Sequence, residues 1–158
     1  MLPYVVPPQP KVFGPGGDHG GSEAHWAAFA GDVDSLRELE PRLLEKTDAR
    51  GLTPAHWAAI GNRVAALQYL YALVPGALEA KNEEGWTPAY YAAARNSVAA
   101  LECLNELVPG ALEAKNENGY TPAHYAAQYD RVAALECLNE MVPGALEAKN
   151  EEGTTPAD

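Results

Sequence analysis

The segment GWTPAYYAAARNSVAALECLNELVPGALEAKNEN, residues 85–118, decides the fold because the chain holds three near-identical copies of it. GLTPAHWAAIGNRVAALQYLYALVPGALEAKNEE precedes it at residues 51–84, and GYTPAHYAAQYDRVAALECLNEMVPGALEAKNEE follows it at residues 119–152. A fixed period of 34 residues indicates stacked supersecondary units, each too small to bury its apolar face alone. The sequence therefore predicts a repeat protein.

Each copy predicts a helix, a turn, a second helix and a long loop. Thr87 suits the position before the first helix, where its side chain can accept from free backbone N–H groups, and Pro88 suits the first helical position. We expect Asn96 to end this helix in left-handed backbone. Apolar residues at helical spacing predict a second helix from about Val98, and Pro109-Gly110 should end it.

The chain divides into two parts by composition. Residues 1–20 form a Pro/Gly-rich arm, for which we expect extended backbone. Residues 21–158 form the expected repeat domain. Its expected repeats are 21–50, 51–84, 85–118 and 119–152, with a stub at 153–158.

The stub is too short to form a fifth helix pair. We therefore expect the apolar side of the fourth repeat, with parts of Val132, Leu135 and Leu138, to lack a cover. An uncovered apolar patch favours association. The sequence thus predicts self-association through the C-terminal repeat.

Three motifs resemble the TPLHxAA signature of ankyrin repeats: TPAHWAA at 53–59, TPAYYAA at 87–93 and TPAHYAA at 121–127. The loops KNEEG and KNENG look like the hairpin tip of that family, with Asn82, Asn116 and Asn150 in place of Asp. Tyr90 departs from the signature because it replaces one His. The resemblance implies an all-α solenoid of stacked helix-turn-helix units with hairpin-like loops.

The resemblance also implies a function in binding another protein, without catalysis. Partners of ankyrin repeats usually contact the hairpin tips and the exposed side of the first helices. His25, His56 and His124 occupy the motif's His position, which in this family hydrogen-bonds within and between repeats. No histidine has the cysteine or carboxylate neighbours of a zinc site. We expect no catalytic residue, no metal and no cofactor.

The charge of the chain indicates the kind of partner. Lys and Arg number 11 against 22 Asp and Glu, which gives a net charge of −11. Such a chain is unsuited to nucleic-acid phosphates, and a partner with a basic segment is its natural complement. No membrane-spanning segment or secretory signal is evident, so we expect no membrane contact and an intracellular, cytoplasmic location, with delivery into a host cell as the alternative. Cys103 and Cys137 hold equivalent places in adjacent repeats and are expected to be buried, reduced residues.

Residues that differ between otherwise near-identical repeats are the best candidates for partner contact. By resemblance they lie on the concave face, where we expect the aromatic residues Trp86, Tyr120 and Tyr129 to be anchors, with Trp86 and Tyr120 exposed. The alternative is drift at unconstrained sites. The glutamates of the tips would add an acidic rim, whose charge the recurring Lys81, Lys115 and Lys149 would reduce. The candidate partner-binding residues are Leu52, Ile60, Glu83, Glu84, Trp86, Arg95, Glu117, Tyr120, Gln128, Tyr129, Glu151 and Glu152.

Other aromatic residues recur at one framework place. Trp57, Tyr91 and Tyr125 follow the His position, where packing is the favoured interpretation and lining of the groove is the alternative. The function that the sequence favours is an interaction module binding a protein or peptide through the concave face and hairpin tips. A targeting or substrate-recruiting domain of a larger, host-directed protein, with catalysis outside this chain, and a passive spacer are the alternatives.

Overall fold

The computed structural model describes residues 21–157, in which all regular structure is helical. The helices form four pairs, and a short 3-10 turn follows each pair. The expected arm at residues 1–20 lies outside the described residues, and the repeat boundaries stay a prediction. The helices are α1 (Glu23–Ala30), α2 (Val33–Glu38), α3 (Pro54–Ile60), α4 (Val64–Leu73), α5 (Pro88–Ala94), α6 (Val98–Leu107), α7 (Pro122–Gln128) and α8 (Val132–Met141). The 3-10 turns are Pro41–Glu45, Ala77–Glu79, Ala111–Glu113 and Ala145–Glu147.

The short link between the two helices of each pair contains one residue in left-handed backbone. The φ angle is 75° at Gly31, 60° at Asn62, 60° at Asn96 and 59° at Asp130. Gly, Asn and Asp are the residue types that adopt this conformation at least cost. The predicted end of each first helix is thereby confirmed.

The turn residues also join neighbouring repeats. The side-chain oxygen of Asn62 accepts a hydrogen bond of 2.8 Å from the backbone N–H of Ala100. Asn96 accepts one of 2.8 Å from the N–H of Ala134. The turns at Asn62 and Asn96 therefore serve two purposes, since the backbone reverses the chain and the side chain holds the second helix of the following repeat.

The helices pack in two rows. The first helices form the row α1, α3, α5 and α7, and the second helices form the row α2, α4, α6 and α8. Alanines such as Ala58, Ala59, Ala92 and Ala93 are fully buried in the first row, where their small side chains let the helices approach closely. The all-α stack predicted from the sequence is thus confirmed, with a core that runs from repeat to repeat.

Both cysteines lie in this core as free thiols. Cys103 and Cys137 are buried, as predicted. Burial raises the pKa of both thiols, that of Cys137 to about 11. A thiol with a raised pKa holds little reactive thiolate at neutral pH.

Within residues 21–157, no helix is long and apolar enough to cross a membrane.

Candidate functional site

The hairpin tips are rigid because one side chain holds each turn. The Oδ1 atom of Asn82 accepts hydrogen bonds of 2.9 Å from the backbone N–H groups of both Glu84 and Trp86. The backbone N–H of Asn82 donates to the carbonyl of Trp86 at 3.0 Å, and Gly85 takes the required φ of 82°. Equivalent bonds form at Asp48, Asn116 and Asn150.

These tips present the predicted acidic residues to solvent. Glu83, Glu84, Glu117 and Glu151 are exposed, and none of them forms an ion pair with another residue of the described part. Glu152 is also exposed, and its carboxylate accepts a hydrogen bond of 3.0 Å from the Tyr120 hydroxyl. These five glutamates outnumber the exposed Lys81, Lys115 and Lys149 of the same tips, so the tips form a line of mostly unpaired charge with a negative excess.

The expected exposure of Trp86 and Tyr120 is wrong. Leu52, Trp86 and Tyr120 each keep only 1% of their surface accessible, and Ile60 is buried as well. The side chains of Leu52, Trp86 and Tyr120 point inward from their hairpins and pack against aromatic rings. The Trp86 ring, for example, lies 4.3 Å from the Tyr125 ring between centroids. These residues are part of a second apolar cluster and offer no surface to a partner.

Recurring aromatics complete this cluster, so the packing interpretation of Trp57, Tyr91 and Tyr125 is confirmed. Each also ties a first helix to the hairpin tip nine residues before it. Burying these polar groups is tolerable because each has a partner. The hydrogen bonds are Trp57 Nε1 to Asp48 at 3.0 Å, Asn82 Nδ2 to the Tyr91 hydroxyl at 2.9 Å, and Asn116 Nδ2 to the Tyr125 hydroxyl at 3.2 Å.

Half-exposed candidates lie at the ends of the first helices. Arg95 follows α5, Gln128 ends α7 and Tyr129 follows it, and all three are partly accessible. Burial, together with the like charge of Arg131, lowers the pKa of the Arg95 guanidinium. These three positions are the candidates that remain accessible on the helix row.

Sequence reasoning missed two further arginines at the same end of the helices. The Nε atom of Arg63 donates to the carbonyl of Phe29 at 3.0 Å, and that of Arg131 donates to the carbonyl of Ala94 at 2.8 Å. Arg95 lies close to Arg131, and the two form a basic band on an otherwise acidic protein, while Arg63 holds the place of Arg131 two repeats earlier. The signal was present in the sequence, because Asn-Arg and Asp-Arg follow the helix ends in two repeats.

The histidines join repeats, as the resemblance implied. His56 Nδ1 accepts from the backbone N–H of Thr53 at 3.1 Å, and its Nε2–H donates to the carbonyl of Trp86 at 2.8 Å. Burial lowers the pKa of His56 to about 4, although the Trp86 carbonyl favours the charged form. His25 and His124 make the equivalent bonds to the carbonyls of Leu52 and Thr154.

Tyr90 keeps the link between repeats but not the cap. Its hydroxyl lies within hydrogen-bond distance of the carbonyls of Ala114, at 2.7 Å, and of Tyr120, in the following repeat, so its one proton is shared between them. The side chain of Thr87 then has no hydrogen-bond partner, although Thr53 and Thr121 pair with their histidines. The expected capping of α5 by Thr87 is therefore wrong.

The fourth repeat is only partly uncovered. Val132 is 59% exposed and Leu135 is half-buried, but Leu138 is fully buried, contrary to the expectation. Leu138 belongs to the core shared with the preceding repeat. Self-association through this repeat stays a prediction.

Comparison with known proteins identifies the family. A family model described as ankyrin repeats, in three copies, matches residues 24–111, more than half of the chain. The chain belongs to the ankyrin repeat family, whose members are generally protein–protein interaction modules and typically have no catalytic activity. No curated protein matches this chain in sequence.

Proposed function

We propose that this ankyrin domain binds a partner protein or peptide through the surface between its hairpin tips and the ends of its first helices. The observation that carries the proposal is the row of rigid tips bearing exposed glutamates without ion pairs. A surface that is already ordered loses little conformational entropy when a partner binds.

The charge of the tips favours a basic segment in the partner. Glu83 and Glu84 lie side by side at one tip, and Glu117 and Glu151 follow at the next two. Exposed charges of one sign attract an oppositely charged partner and raise the association rate, an effect that salt screens. The acidic rim therefore accounts for the rate of encounter and its salt dependence more than for final affinity.

The ends of the first helices would supply the anchors that Trp86 and Tyr120 do not. Tyr129 and Arg95 are half-exposed, and Tyr and Arg are frequent among the residues that dominate binding energy. Arg95 lies close to Arg131, so this band favours an acidic or carbonyl-rich part of the same partner. The proposed partner is thus basic where it meets the tips and polar or acidic where it meets the helix ends.

Affinity capture with matched variants tests this proposal. Glu83→Gln with Glu84→Gln removes two charges from a tip, and Glu136→Gln with Glu140→Gln removes two from the exposed face of α8 as a control. A partner held through the tips should be retained by the control, reduced on the tip variant, and lost when Tyr129→Ala is added.

The rate of association gives a second measurement. It should fall steeply as salt rises for the unmodified domain and less steeply for the tip variant. A partner retained equally by all variants, with a rate that salt does not change, would contradict the proposed surface. A domain that captures nothing would favour the passive spacer.

A further inference from the structure

The outer face of α4 differs from that of its sister helices. Helix α4 contains no charged residue, although α6 and α8 each carry two glutamates. One difference lies on the inner side, where the half-buried Tyr69 stands at the place of the buried Cys103 and Cys137, and three others lie at exposed or half-exposed positions. Those positions hold Gln68, Tyr71 and Ala72 in α4, Glu102, Asn105 and Glu106 in α6, and Glu136, Asn139 and Glu140 in α8.

The substitutions create an exposed apolar surface. Tyr71 is 45% exposed and Leu73 is 43% exposed, and Val132 is the third exposed large apolar residue of the described part. Successive helical residues are rotated by about 100°, so Tyr71 and Leu73 project on either side of Ala72. The exposed Ala72 leaves a shallow trough between the two larger side chains.

Packing within the domain does not require this apolar face. Helix α4 buries Ala66, Leu67 and Leu70 against the core. Helix α6 buries Ala100 and Leu101, with Leu104, at the equivalent positions while keeping polar residues outside. The core side therefore differs only at Tyr69, which stands in place of the buried Cys103, and the other changes lie on the solvent side.

The charges beside this face indicate the chemistry of its ligand. On one side Arg37 of α2 lies over the Tyr69 ring, 5.9 Å from its centroid, and pairs with Asp34 at 3.3 Å. On the other side Glu102 and Glu106 of α6 are exposed, and neither forms an ion pair within residues 21–157. The unpaired charge next to the apolar face is therefore negative.

We propose that the outer face of α4 binds an amphipathic helix that carries lysine or arginine along the border of its apolar side. An apolar side chain of this helix sits in the trough at Ala72, between Tyr71 and Leu73. Its basic residues reach Glu102 and Glu106. A second copy of this chain is disfavoured, since each copy carries a net charge of −11.

This surface belongs to the row of second helices and does not depend on the proposed function of the tips. The probe is a helical peptide of leucine and lysine, about 15 residues long so that it can form a helix, with leucine on one side. Its affinity is measured by fluorescence anisotropy. The same peptide with glutamate in place of lysine is the control, and we expect it not to bind.

The decisive variant gives α4 the polarity of its sisters without changing its charge. Tyr71→Asn with Ala72→Gln should weaken the leucine–lysine peptide about tenfold or more. Tyr71→Asn alone, the residue found in both sister helices, is the milder variant if the double change impairs folding. Glu102→Gln with Glu106→Gln should also weaken binding, and Glu136→Gln with Glu140→Gln should not.

Three results would overturn the inference. Equal affinity for the unmodified domain and the Tyr71 variants would show that the peptide binds elsewhere. Loss of binding only in the Glu83→Gln, Glu84→Gln variant would assign the peptide to the hairpin tips, which supports the proposed function but not this surface. Dimerisation in sedimentation analysis that Tyr71→Asn abolishes would make a second copy the occupant.

Discussion

Helices α3 and α5 differ at the residue that joins one repeat to the next. In α3, His56 accepts from Thr53 with one ring nitrogen and donates to the Trp86 carbonyl with the other. In α5, Tyr90 reaches the carbonyls of Ala114 and Tyr120 but leaves Thr87 without a partner. His56 thus bonds both to the start of its own helix and to the next repeat, whereas Tyr90 bonds to the next repeat but not to the start of its helix.

The comparison shows which of the two contacts is retained when the residue changes. A helix cap is worth about 1 kcal/mol. A buried carbonyl without a partner costs about 1–3 kcal/mol. The longer Tyr90 side chain keeps the hydrogen bond to the carbonyl of the next repeat and loses the helix cap. Continuity between repeats is therefore preserved, at the expense of local capping.

The largest effect is expected from truncation at the two positions. His56→Ala removes a buried ring and leaves Thr53 and the Trp86 carbonyl unpaired, so it should destabilise the domain by about 4 kcal/mol. Tyr90→Phe keeps the ring and loses only the hydroxyl, which should cost about 1–2 kcal/mol. Urea denaturation followed by circular dichroism measures both. Equal losses of unfolding free energy in the two variants would contradict the expected difference between His56 and Tyr90.

The second-largest effect on stability is expected from lowering the pH, which should affect α3 but not α5. The pKa of His56 is about 4 in the fold against 6.5 for the ordinary side chain, because the ring is buried. The unfolded chain therefore binds the proton more readily. The contribution of His56 to the unfolding free energy is fully present above pH 6.5 and is lost as the pH falls toward 4. The loss from His56 should be about 3 kcal/mol at pH 4.

The control for this pH effect copies the sister helix. His56→Tyr places the residue of α5 in α3, and a tyrosine does not titrate in this range. The difference in unfolding free energy between pH 7 and pH 4 should shrink by about 3 kcal/mol relative to the unmodified domain. An unchanged pH profile would mean that the pKa of His56 is not lowered in the folded protein.

The smallest effect concerns the caps. Thr53→Ala removes a hydroxyl that pairs with His56, and should cost about 1 kcal/mol. Thr87→Ala removes a hydroxyl without a partner and should be close to neutral, or slightly stabilising. Thermal melting compares the two variants, with Thr121→Ala as a second capped example. A loss at Thr87 as large as that at Thr53 would contradict the difference between α3 and α5.

The aromatic residues before the Thr-Pro pairs show where reading the sequence fails. Trp86 and Tyr120 vary between repeats, and variation suggested an exposed surface. Trp86 is covered by Tyr125 of the next repeat, whereas Tyr120 packs against His124 and Tyr125 of its own repeat and its hydroxyl bonds to Glu152. The half-exposed Arg95, Gln128 and Tyr129 were identified from the same pattern, so variation alone did not separate buried from accessible positions.

The sequence by itself determined the period, the helix pairs and the left-handed residue that ends each first helix. These features depend on local physics, namely the spacing of apolar residues and the backbone preferences of Gly, Asn, Asp and Pro. The tertiary structure alone decided that Trp86 and Tyr120 lie inside and that Arg95 and Arg131 form one band. Trp86 is covered by Tyr125 of the neighbouring repeat, and Arg131 is held by the carbonyl of Ala94 in the preceding one, contacts that local propensity does not describe. Thr87 lacks a partner because Tyr90, the tyrosine at the His position, reaches the Tyr120 carbonyl of the next repeat instead.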